Sequence, residues 1–140
     1  MIEPLLLGAA LLLGCVTLMA LTTAAILGLT LRAFHSGFAG GGYWHHVAIV
    51  MAVTLIAAAG HVVQMALWAV AFLCCGEFRD FPTAFYHSAV NYTSLGYGDI
   101  IMSGRWRLLG PLEAMTGVLL FGLSAAMVFA IVSRLIEQRL

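Results

Sequence analysis

Apolar and polar positions fall in long blocks along this chain. Three apolar runs stand out, at about 4–34, 43–75 and 111–136, interrupted by isolated polar side chains. Each exceeds the roughly 20 residues needed to cross about 30 Å of hydrocarbon at about 1.5 Å per residue. The pattern predicts three membrane-spanning helices. The first run is rich in small residues (Gly8, Ala9, Ala10, Gly14, Ala20, Ala24, Ala25, Gly28), which allow helices to approach closely in lipid. After it, Gly40-Gly41-Gly42 cannot sustain a helix cheaply and predicts a turn. An aromatic and histidine entrance, Tyr43, Trp44, His45 and His46, opens the second run.

Between the second and third runs, residues 76–110 are too polar and too broken to span. The stretch opens on a polar turn, Gly76-Glu77-Phe78-Arg79-Asp80. Pro82 suits the first turn of a helix, where its missing N–H costs nothing. A short apolar helix is expected from there to Tyr92 or Thr93, too short to cross a bilayer. It runs into Ser94-Leu95-Gly96-Tyr97-Gly98-Asp99. Irregular backbone at membrane depth is tolerated only inside protein or beside water. A re-entrant segment of this kind implies a pore or a cavity.

Composition strengthens the membrane reading. Hydrophobic residues make up 63% of the chain and charged residues 9%, against about 25% charged in a soluble domain. There is no lysine, and the arginines (Arg32, Arg79, Arg105, Arg107, Arg134, Arg139) are scattered. No basic patch suits nucleic acid, and no polybasic run suits lipid headgroups. The first run lacks a basic n-region and outlasts a signal-peptide core, so it is expected to be a retained helix. Cys15, Cys74 and Cys75 read as packing residues rather than metal ligands. His35 with His45-His46 has poor spacing for a metal at a cytoplasmic face. No nucleophile–base set or phosphate-binding loop points to an enzyme, and no cofactor is expected. The arginines divide evenly between the two sides, so they do not set the orientation. Glu3, Glu77, Asp80 and Asp99 share the side of the re-entrant segment, which is therefore expected outside, with the N-terminus outside and the C-terminus cytoplasmic.

Ser94-Leu95-Gly96-Tyr97-Gly98-Asp99 resembles the selectivity filter of the potassium channel superfamily, usually TVGYGD. The resemblance covers the pore module, from about Ala48 onward. It implies an all-α membrane protein with three transmembrane helices, a re-entrant pore helix and a filter loop, assembled as a homotetramer in the lipid bilayer of a cell membrane. The expected organisation is an extra N-terminal helix over 1–35, a Gly-rich cytoplasmic loop over 36–46 and a pore domain over 47–140. Within the pore domain the outer helix falls at 47–75, the pore helix at 82–93, the filter at 94–98 and the inner helix at 110–136. By this resemblance, K+ is the permeant ion and binds at Ser94, Leu95, Gly96 and Tyr97. Rings of carbonyls replace its hydration shell, Gly96 and Gly98 permit the backbone angles, and Tyr97 braces the strand.

Ser94 and Leu95 stand where the family usually has threonine and valine. Tyr86 and His87 stand where it has two tryptophans, and Val90 where some members have a carboxylate. Thr93, Asp99, Tyr86, His87, Asn91 and Glu113 are the expected filter support. Tyr86 is expected to hydrogen-bond Asp99, and His87 or Asn91 to reach the Tyr97 hydroxyl. A buried acid such as Glu113 is costly in a membrane, so it is expected to face the pore helix and pair with Asn91 or Thr93. Gly117 and Gly122 suit either an inner-helix hinge or close packing. Met127, Phe129, Ile131 and Val132 suit an apolar constriction. His61 and Gln64 share a helix face and are expected to meet another helix, with Thr17, Thr22 and Thr23 of the first as candidate partners. No helix carries arginines at every third position, so no voltage sensor is expected. Gating must then come from the pore, lipid, ions, pH or an unidentified regulatory partner. The function expected is passive K+ conduction. The alternatives are a weakly selective monovalent cation channel and a non-conducting subunit that keeps the pore fold.

Overall fold

A computed structural model describes residues 2–137, and Arg139, one of the scattered arginines, lies outside them. Four helices form: α1 (Ile2–His35), α2 (Tyr43–Cys74), α3 (Phe81–Tyr92) and α4 (Leu109–Glu137). Three of them, α1, α2 and α4, are long and apolar enough to cross a membrane. Helix α2 begins at Tyr43, so His45 and His46 belong to its first turns rather than to the preceding loop.

Local chemistry sets where each helix stops. The turn after α1 holds Gly37 at φ 75°, a left-handed conformation that glycine adopts without steric cost. Helix α2 ends in a Schellman motif. Gly76 takes φ 74°, its N–H donates to the Leu73 carbonyl, and the Glu77 N–H donates to the Phe72 carbonyl. Helix α3 starts on Asp80, whose carboxylate accepts from the Thr83 amide at 2.9 Å, with Pro82 in the first turn. That amide holds the exposed Asp80 carboxyl below its usual range.

Two apolar clusters hold the helices together. One joins Leu11, Cys15 and Met19 of α1 to Trp68 and Phe72 of α2, Tyr92 of α3 and Leu109 and Leu120 of α4. The other joins Ile26, Ile49, Val53 and Leu135 toward the opposite end. Helix α3 therefore wedges into one half of the bundle only, as its 12 residues dictate. Helix α1 packs on both α2 and α4. A Cβ on Gly8 would lie 2.5 Å from Leu112, so the glycine sets that approach. Large apolar side chains remain exposed, among them Leu13, Leu21, Leu119 and Phe129. On a protein of this composition they are the surface offered to lipid or to other subunits.

Candidate functional site

The segment from Ser94 to Asp99 leaves the C-terminal end of α3. Its first amides turn back on that helix: Ser94 N–H donates to Asn91, and Leu95 and Gly96 N–H both donate to the Val90 carbonyl, at 2.8, 3.0 and 3.2 Å. Backbone φ is positive at Ser94 (59°), Gly96 (60°) and Gly98 (72°), but not at Leu95 or Tyr97. Alternation of left- and right-handed residues gathers successive N–H groups on one side of a chain. The carbonyls are then left on the other side. Among the described residues, no donor reaches the carbonyls of residues 94–98. Ser94 is the only non-glycine at positive φ among the described residues. This conformation costs an L-residue about 1–2 kcal/mol.

The stretch after the segment is tied down at three points. The Tyr86 hydroxyl donates to Asp99 at 2.7 Å, the bond expected from the sequence, and the carboxylate beside it raises the phenol's pKa. Glu77 accepts from both the amide and the hydroxyl of Ser103, at 2.7 and 2.5 Å. Arg105 pairs with Glu3 at 2.7 Å, which places the N-terminal end of α1 beside this stretch.

Behind the segment, His87 and Asn91 bond each other at 2.8 Å. The expectation that one of them reaches the Tyr97 hydroxyl is not met within the chain, where Tyr97 is 67% exposed. The cause is geometric: His87 packs its ring against Phe72 and Phe78 and turns its polar edge to Asn91 and the Ile100 backbone rather than to Tyr97. Burial lowers the pKa of its imidazole. Glu113 is fully buried and faces α3, as expected, but its partner there is Ser88, at 2.5 Å. Asn91 lies beside it, while Thr93 bonds its own helix at Ala89.

His61 and Gln64 do face other helices, though not the threonines of α1. Thr17 and Thr22 bond their own helix at Leu13 and Leu18. The Tyr92 hydroxyl donates to Gln64 Oε1, so His61 Nδ1–H donates to Tyr92 at 3.1 Å. His61 Nε2 then accepts from Ser124 at 2.8 Å, and Gln64 Nε2 donates to the Cys15 carbonyl at 3.4 Å. The chain of bonds touches all four helices. Gly117 also meets the end of α3, since a Cβ there would fall 1.9 Å from the Tyr92 carbonyl oxygen. Gly122 meets nothing within 4 Å. Of the apolar residues near the end of α4, Met127 and Ile131 turn into the second core cluster, while Phe129 is 72% exposed.

A family model described as an ion channel matches residues 48–134. The chain belongs to this ion channel family. No curated protein and no solved structure matches it. The matched span covers α3, the 94–99 segment and α4 whole, and all but the first turns of α2. The channel is thus a multi-pass membrane protein, and family membership points to ion passage rather than to enzymatic chemistry. Helix α1 precedes the matched region. Among the described residues no three His, Cys, Asp or Glu side chains gather to hold a metal, so His35, His45 and His46 do not form such a group. Sequence reasoning missed Ser88 and Ser124, the buried partners of Glu113 and His61. One signal was available for Ser88: with Ala84 it makes a small-residue face at i, i+4 spacing, opposite an acid that needs a partner.

Proposed function

We infer that this channel conducts potassium ions passively across the cell membrane as a homotetramer, each chain supplying one strand of the filter. The observation that carries this reading is the positive φ at Ser94, Gly96 and Gly98 in a segment whose carbonyls have no donor among the described residues. Potassium leaving water needs oxygen on all sides, and rings of neutral carbonyls supply it without trapping the ion by net charge. One strand covers one side of the ion, so four chains close the ring. Ser94, Leu95, Gly96 and Tyr97 contribute the ion sites, with the Ser94 hydroxyl innermost. The C-terminal end of α3 directs its partial negative charge toward the cavity below and favours a cation there. Leu95 and Tyr97, 56% and 67% exposed in one chain, are then covered by neighbouring subunits. The re-entrant side lies outside with the N-terminus, in keeping with the Glu3–Arg105 pair, and the C-terminus is cytoplasmic. Potassium is cargo, and no resident cofactor takes part.

Reversal potential in planar bilayers, with potassium on one side and sodium on the other, tests the reading. A value near the potassium equilibrium potential is expected. A value near zero with clear current would make the protein a weakly selective cation channel. No flux from correctly assembled protein would make it a non-conducting subunit.

A further inference from the structure

Glu113 sits in α4 facing Ser88 of α3, which in turn faces the Met65 carbonyl of α2. Ser88 Oγ is 2.5 Å from Glu113 Oε1 and 2.8 Å from the Met65 oxygen. Both are hydrogen-bond distances for oxygen pairs. The serine hydroxyl owns one proton and can donate once. The second contact needs a second proton, and a carbonyl cannot bring it. No hydrogen-bond donor reaches the other, buried Glu113 oxygen, Oε2, among the described residues; the Asn91 amide stands beside the carboxyl but donates to His87. A carboxylate would place charge on that bare oxygen, whereas the carbonyl oxygen of a neutral acid is far cheaper to bury unpaired.

The surroundings offer no counter-charge. Among the described residues the only salt bridge is Arg105 with Glu3, at the protein surface. The titratable groups within electrostatic reach of Glu113 are the Cys15 thiol of α1 and the Tyr92 phenol of α3. His61 of α2 stands behind Tyr92, bonded to its hydroxyl. From α2 itself only the Met65 carbonyl reaches the site, through Ser88.

We propose that Glu113 is a buried proton-binding site: a neutral carboxylic acid that donates to Ser88, which donates to the Met65 carbonyl, clasping α4, α3 and α2 together. Removing the proton leaves Ser88 with two acceptors and one hydrogen, and leaves an uncompensated charge at the back of α3. Strong alkali therefore loosens the clasp. The inference concerns the fold of the chain and holds whichever ion passes.

Infrared spectroscopy of the whole channel in lipid vesicles tests it. At about pH 8, exposed Asp and Glu are ionised, being far above their usual range near 4. Glu113 is the only buried acid among the described residues, so a neutral-acid C=O stretch at that pH reports it without any variant. The band is expected in the wild type and absent in Glu113→Gln. Its absence from the wild type overturns the proposal. Thermal unfolding supplies a second readout that does not need the band. Glu113→Gln, which keeps a donor to Ser88, is expected to hold wild-type stability and to lose the wild type's decline with rising pH. Glu113→Ala is expected to be less stable at every pH. Equal damage from Gln and Ala would show that the donated proton is not what the site needs.

Discussion

Ser94 carries the sharpest conflict between local preference and structure. It holds a left-handed conformation between residues that do not, and strain of this kind persists where the surroundings over-determine it. Ser94→Gly relieves that strain but loosens the strand in the unfolded state, so stability should change by less than about 1 kcal/mol. The hydroxyl is lost with it. The expected result is near-wild-type thermal stability together with a lower potassium-to-sodium permeability ratio. A variant with unaltered permeability would remove the serine hydroxyl from the proposed ion sites. His87 makes a pH prediction. Its Nε2 accepts from Asn91, and burial lowers its pKa. Protonation would set donor against donor. The stability it contributes is fully present above the unfolded value of about 6.5 and is lost as pH falls below it. Unfolding midpoints of reconstituted protein should therefore fall between about pH 7 and pH 5, and His87→Gln should flatten that part of the profile.

At the level of elements, Gly117 and Gly122 part company. Both were open to a hinge or a packing role when read as sequence. Gly117 lies so close to the last turn of α3 that an added methyl would overlap the Tyr92 carbonyl, a backbone atom that cannot rotate away. Gly117→Ala should cost about 3 kcal/mol or prevent folding, as overpacking does at its upper end. Gly122→Ala meets open space and should be neutral, or stabilise the helix by up to about 1 kcal/mol. Melting curves and the recovered folded fraction would separate them; equal tolerance would return Gly117 to a hinge role. The helices themselves were legible because apolar runs of this length admit few other structures in lipid. Their faces were not. The buried polar residues of α2 sit on a helix that is apolar all round, so no stripe marks which neighbour each one meets.

For the whole molecule, three spans put the two ends on opposite sides, and the proposed placement of the 76–108 region outside decides which is which. Cys74 is free and exposed at the end of α2 nearest the 76–108 region. With that face outside, a membrane-impermeant thiol reagent should label Cys74 on intact cells, and replacing both Cys74 and its free, half-buried neighbour Cys75 with serine should abolish the signal. Labelling only after permeabilisation would invert the topology. The Glu3–Arg105 pair lies at the same end, with its side chains 65% and 67% exposed. Pairs that exposed contribute little to stability because water screens them, so Glu3→Gln should leave the melting temperature nearly unchanged. It is a marker of position rather than a fastening.

Three spanning helices, a short helix that cannot span and the Gly96-Tyr97-Gly98-Asp99 run after it were all decided by residues 1–140 read in order, because hydrophobic length and glycine placement act locally. The Tyr86–Asp99 bond was also within reach, since both residues flank one short segment. Tertiary structure alone decided the rest. It brought Ser88 to Glu113, Ser124 to His61 and Glu3 to Arg105, pairs separated by 25, 63 and 102 positions. A polar side chain buried among apolar helices must find a partner, and that demand is legible in sequence. Which partner it finds depends on how the helices rotate and cross, and that is set by the sum of many apolar contacts.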